Sequence, residues 1–230
     1  MTIACTFLTS ETYQPVLLKR KAARLRKETG NQDLRSELEV SGQTKKDLFL
    51  RSIVRPAKML CLSPIVMLMS IYMAVVYGIL YLLFTTFTFV FEEGYHFSES
   101  NVGLTYIGAG IGMMIGLVVM GAVSDRLMKR LTTKNGGVAK PEYRLPPLII
   151  GGMFLPVGLF LYGWTAEKHV QWAVPLFGTL LVGIGILIAF MCIQTYLIDA
   201  FTIYAASAIA ANTVLRSMFG AFLPLAGLPM

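Results

Sequence analysis

Residues Met59 to Phe91 form a run of 33 residues without a single Asp, Glu, Lys or Arg. At about 1.5 Å per residue, a ~22-residue helix is ~33 Å long and crosses a hydrocarbon core about 30 Å thick. Three further charge-free stretches, Ser100 to Ser124, Leu145 to Ala166 and His169 to Ile198, are of the same kind, and Ala200 to Met230 is interrupted only by Arg216. The spacing predicts transmembrane helices over 59–91, 101–124, 145–166, 172–198 and 204–230. A chain that is 55% hydrophobic and 14% charged, with its charges clumped rather than spread, is not an ordinary soluble globule. The predicted fold class is all-α, a multi-pass helical bundle.

Orientation follows from the cations, because Lys and Arg in short flanking loops are held on the cytoplasmic side. Ser10 to Lys58 carries 12 basic and 6 acidic residues, and Asp125 to Arg144 carries 6 and 2. Glu92 to Glu99 instead has three acids and no Lys or Arg, and in the next loop Glu167 and Lys168 cancel. The loops therefore alternate inside and outside. This alternation accounts for most of the formal charge of +7 as topology, and argues against nucleic acid as a partner.

Residues 1–9 are apolar but too short to span, and the cations follow them, the reverse of a signal peptide; they read as the tail of an earlier span. Residues 10–58 read as a basic cytoplasmic loop. Within it, Lys19 to Asn31 is a basic helical stretch that stops at Gly30 and Asn31. Thr44 to Asp47 loosely resembles a capping box, after which Phe49, Leu50, Ile53 and Val54 recur at helical spacing with Arg51 and Arg55 opposite. Two readings fit this segment equally, an amphipathic helix on the inner membrane face and a solvated loop. Cys5, Cys61 and Cys192 are far apart and in or beside apolar segments, so they read as buried thiols and not as a disulfide or metal framework.

On the first full span, Ser70, Tyr77, Tyr81, Thr85 and Thr88 fall on one narrow helical face. Such a stripe faces either a water-filled cavity, where Tyr77 and Tyr81 would stack on an aromatic ligand, or a neighbouring helix. On the second span Gly108, Gly112 and Gly116 lie four apart, which favours close packing of a neighbour over a dinucleotide loop. Gly121, Asp125, Arg126 and Arg130 then complete the pattern GxxxDRxxxR at the cytoplasmic end of that span. There the glycine lets the next helix approach, the aspartate pairs with an arginine or caps a helix, and the cluster can latch one conformation of a rocking protein. No nucleophile, base and oxyanion arrangement and no metal-ligand cluster is recognisable, so neither an enzyme nor a cofactor or metal is expected.

With that motif the sequence resembles the major facilitator superfamily. RKETGN (Arg26 to Asn31), RPAKMLCLSPIV (Arg55 to Val66), PEYRLPP (Pro141 to Pro147), QTYLIDAF (Gln194 to Phe201) and NTVLRS (Asn212 to Ser217) resemble its fungal drug:proton antiporters of twelve spans. The resemblance implies that the chain corresponds to the end of the sixth helix, the central loop and helices seven to eleven, with both ends cut. It also implies proton-driven export of drug-like or secondary-metabolite molecules across the plasma membrane by the full-length counterpart. Membrane lipid, a small-molecule substrate and the missing N-terminal half are the implied partners. A truncation without transport activity, a half-transporter that assembles with a second chain, and a membrane-anchored scaffold are the competing expectations.

Gln194, inside an apolar helix, is expected to face a central cavity with Tyr77, Tyr81 and Asn212. Arg216 shares a face with Asn212 and Ala208, and a charge at mid-membrane is costly enough that Arg216 should be paired or near the interface. An Asp199–Arg216 ion pair would make a cytoplasmic gate; a snorkelling arginine and a helix-end aspartate are the alternative.

Overall fold

The computed structural model describes residues 14–30 and 45–227. The chain divides into two compact units after Arg51. From the first unit, α1 (Gln14–Thr29) is a basic helix ended by Gly30, whose φ of 69° is the left-handed conformation that closes helices. The predicted tail at 1–9, Cys5, Asn31 and Thr44 lie outside the described residues.

The second unit is built of helices alone among its described residues. In chain order they are the part of α2 (Lys45–Leu62) from Ser52 onward, α3 (Pro64–Phe89) ending in a π-helical turn (Val90–Gly94), α4 (Glu99–Lys134), a 3-10 turn (Pro141–Arg144), α5 (Pro146–Glu167), α6 (Ala173–Phe201), a 3-10 turn (Thr202–Tyr204) and α7 (Ala205–Gly227). Four apolar stretches are long enough to cross a membrane, the last of them Ala173–Leu225 with 53 residues. A single helix of that length would be ~80 Å long, far more than a bilayer core. It is two crossings, because the backbone breaks at Thr202, with φ 32° and ψ −89°. The chain then reverses so that α7 runs beside α3, Arg216 against Tyr77 and Gly220 against Tyr81.

Two boundaries differ from those drawn on charge. The first crossing starts at Pro64 and not at residue 59: Ser63 is extended, and Pro64, having no N–H to lose, opens the new helix. α4 continues to Lys134, so Asp125, Arg126 and Arg130 lie within a helix and not in a loop. It stops only where Gly136 and Gly137 take φ of 69° and 88° and the Gly137 N–H bonds back to the Thr132 carbonyl at 2.9 Å. Charges mark the membrane edge; they do not stop a helix.

α6 is the centre of the unit. α4 runs parallel to it, α5 antiparallel, and both meet it through glycine. A Cβ on Gly112 would stand 2.1 Å from the Leu180 carbonyl oxygen, and one on Gly183 would stand 2.4 Å from that of Ala109. On the other side Gly158 and Gly178 face each other in the same manner. The spacing of Gly108, Gly112 and Gly116 is therefore a packing face, as the sequence suggested. Gly121 is different: nothing lies within 4 Å of where its Cβ would be. The expected close approach of a helix there is not made among the described residues, because the α4–α6 contact follows one face and Gly121 sits off it.

Side-chain packing fills the rest. Val76, Leu80, Phe87, Phe91, Tyr162 and Val182 form the core of the outer half, and Val66, Met73, Ile193, Leu197 and Ala208 that of the inner half. Cys192 is buried against Met120, but Cys61 is exposed near the end of α2, contrary to the expectation of a buried thiol. Gly112→Ala should lower the unfolding temperature of the purified chain in detergent by several degrees, since the helices must part to admit the methyl group. Gly121→Ala should leave it unchanged or slightly raised. Equal effects on thermal circular dichroism would refute this assignment of the packing face.

Candidate functional site

The inner ends of α4, α5 and α6 converge on Arg144, carried by the 3-10 turn that opens α5. Its Nε donates to Asp199 Oδ2 at the end of α6. Its Nη1 donates to the Ser124 hydroxyl at 3.2 Å and lies 3.6 Å from Asp125 Oδ1, both on α4. One guanidinium thus bridges three helices with its rigid fork of donors. The Arg144 and Asp199 side chains are 20% and 30% exposed, while Asp125 is 75% exposed, so the Asp199 arm is the stronger. Beside the bridge, Leu117, Gly121, Asp125, Met191 and Thr195 line an open notch of about 170 Å³. Arg126 and Arg130 are exposed on α4.

Asp199 therefore pairs with Arg144 and not with Arg216. Nor is Arg216 near the interface: it lies ~16 Å along α7 from Ala205. Its guanidinium carbon sits 4.3 Å from the ring centroid of Tyr77 and 5.3 Å from that of Phe190. Aromatic faces take the place of a carboxylate, a geometry worth ~0.5–2 kcal/mol and more where water is excluded. Arg144 was missed as a functional residue even though its PEYRLPP segment stood out. The available signal was its position as the last cation before an apolar span, level with Asp125 and Asp199.

The membrane-embedded cavity is formed between α3 and α7. Tyr77, Tyr81, Arg216, Ser217, Gly220 and Ala221 line about 260 Å³. Tyr77 and Tyr81 both line it, with Arg216 in addition. Gln194 and Asn212 do not line it. Asn212 is fully buried one turn below Arg216, and its Oδ1 and Nδ2, like Gln194 Oε1 and Arg216 Nη1, have no hydrogen-bond partner among the described residues. Of the remaining stripe, Ser70 is buried in the inner half, while Thr85 is exposed and satisfies its hydroxyl on the Leu82 carbonyl. The stripe is therefore split between cavity, core and surface.

The family model described as Major Facilitator Superfamily matches residues 3–224. The chain belongs to the major facilitator superfamily. It is 58% identical over 227 residues to the MFS-type transporter penM of Penicillium rubens, covering 99% of this chain and 44% of that protein. It is 55% identical to the efflux pump radE of Floropilus chiversii, with 100% and 43% covered, and 53% identical to the MFS-type transporter tndD of Aspergillus flavipes, with the same coverage. The chain spans less than half the length of these curated relatives. No solved structure matches it. The family resemblance read from the motifs, fungal branch included, is thereby established, and the chain is a multi-pass membrane protein of a transporter family.

For this facilitator chain the Arg144–Asp199 pair should be measurable as a coupling. In a cycle of Arg144→Gln, Asp199→Asn and the double variant, the coupling energy in detergent unfolding should be about 1–3 kcal/mol. Pairing Arg144→Gln with Asp125→Asn should give about 0.5 kcal/mol or less, since Asp125 is mostly in solvent.

Proposed function

We propose that this chain forms one of the two moving bodies of an exporter of drug-like or secondary-metabolite small molecules, working by proton-coupled alternating access at the plasma membrane. The observation that carries the reading is the Arg144 bridge. It ties the inner ends of α4, α5 and α6 through groups that are only partly buried, so it can break when the inner side opens and re-form when it closes. The printed names of the relatives, an efflux pump and MFS-type transporters, support export. The cavity between α3 and α7 supports a substrate held against the rings of Tyr77 and Tyr81.

Coverage of 43–44% of the relatives' length supports transport by this chain together with a further set of helices, in the same polypeptide or another, and inactivity of the chain alone. Nothing in Asp125 or Asp199 is assigned to proton carriage. The resemblance gives that role to the family's other half, and both carboxylates serve the bridge.

In vesicles holding the complete assembly and an imposed pH gradient, Arg144→Asp and Asp199→Arg should each reduce export of a fluorescent drug-like substrate at least tenfold. The double swap should recover a large part of it at unchanged protein level. A double swap as inactive as either single variant would refute the latch, whereas an unsubstituted assembly that moves no substrate under any gradient would overturn the exporter reading itself.

A further inference from the structure

A second concavity lies at the inner end of the unit, outside the transport cavity and the Arg144 bridge. It measures about 460 Å³ and is walled by Arg55, Lys58, Leu62, Phe201 and Tyr204, with Met59 and Ser63 completing it. The last turns of α2, the Ser63 joint and the elbow after α6 bring these residues together. The Arg55 guanidinium lies over the Tyr204 ring, 4.8 Å from its centroid, which holds one cation on the groove wall. No residue lining the groove is acidic, and neither Arg55 nor Lys58 is in an ion pair among the described residues. Two cations thus face one concavity without a counterion among the described residues.

The surroundings decide what kind of anion fits. Leu62 is 69% exposed and Ile203 78%, and they flank the groove where α3 and α6 reach the inner membrane edge. A soluble anion would gain nothing from these apolar flanks. A molecule with a phosphate at one end and hydrocarbon at the other uses both, because cations at this depth meet lipid headgroups while the apolar rim meets the acyl chains. We propose that this groove is a binding site for one anionic glycerophospholipid of the inner leaflet, its phosphate between Arg55 and Lys58. Its glycerol and chains lie along Leu62 and Phe201. The site joins α2 to the α6–α7 elbow through a lipid, and it does not depend on what the transport cavity carries.

Native mass spectrometry of the complete chain in detergent, titrated with palmitoyl-oleoyl phosphatidylserine or the matching phosphatidylcholine, tests this directly. The unsubstituted chain should retain one phosphatidylserine at least tenfold more tightly than phosphatidylcholine. Removing a cation near the surface should weaken binding about fivefold, so Arg55→Gln with Lys58→Gln should weaken it about 25-fold. Tyr204→Leu, which keeps both charges and is milder for folding, should weaken it a few-fold by releasing Arg55. Lys134→Gln with Lys140→Gln, an equal charge loss elsewhere on the inner side, should change it less than twofold. No preference for phosphatidylserine, or an equal loss in the Lys134/Lys140 control, overturns the proposal. So does displacement of the lipid by an equal concentration of soluble glycerophosphoserine, which would mark a phosphate site without a lipid.

Discussion

In a hydrocarbon environment the attraction that builds a soluble core is missing between helices, because lipid tails are as apolar as leucine. What remains is contact, and contact is best where no side chain stands between two backbones. α6 uses this on both sides, meeting α4 at Gly112 and Gly183 and α5 at Gly158 and Gly178. The placing of every other group depends on it. The α4–α6 register brings Ser124 and Asp125 level with Asp199, and the α5–α6 register brings Arg144 between them.

The inner end and the membrane interior solve the same problem of a charged guanidinium differently. Arg144 sits at a partly exposed helix end, with the Asp199 carboxylate against it. Arg216 sits at mid-depth, where a second charge would add its own desolvation cost, and it rests on Tyr77 and Phe190 instead. The first arrangement is a partly solvated ion pair. The second keeps a positive potential inside the cavity without tying the arginine to one carboxylate.

Much of this was legible in the sequence. The charge-free runs gave the long apolar helices, and the four-residue spacing of Gly108, Gly112 and Gly116 gave a helix contact. What failed did so for physical reasons. Charge boundaries could not place the joint at Ser63, which is set by a proline, or reveal that α4 runs on through its motif for nearly three further turns. Pairing Asp199 with Arg216 treated two lone charges near one another in sequence as partners, but the α6–α7 reversal takes Arg216 towards the membrane centre and leaves Asp199 at the edge. Gln194 and Asn212 were placed by polarity alone, which does not say whether a helix face meets a cavity or a neighbour.

The turn at Thr202 also sets how the unit can deform. At these glycines backbone lies directly against backbone, with few rotamers to take up a shift, so α4, α5 and α6 are stiff against one another. α3 and α7 meet through Leu223, Tyr81 and Arg216, long side chains that can repack. Between the two groups the chain passes through a non-glycine residue held at positive φ. The five crossings therefore divide mechanically into a rigid triplet and a compliant pair, with the cavity in the compliant part and its charged fastening in the rigid one.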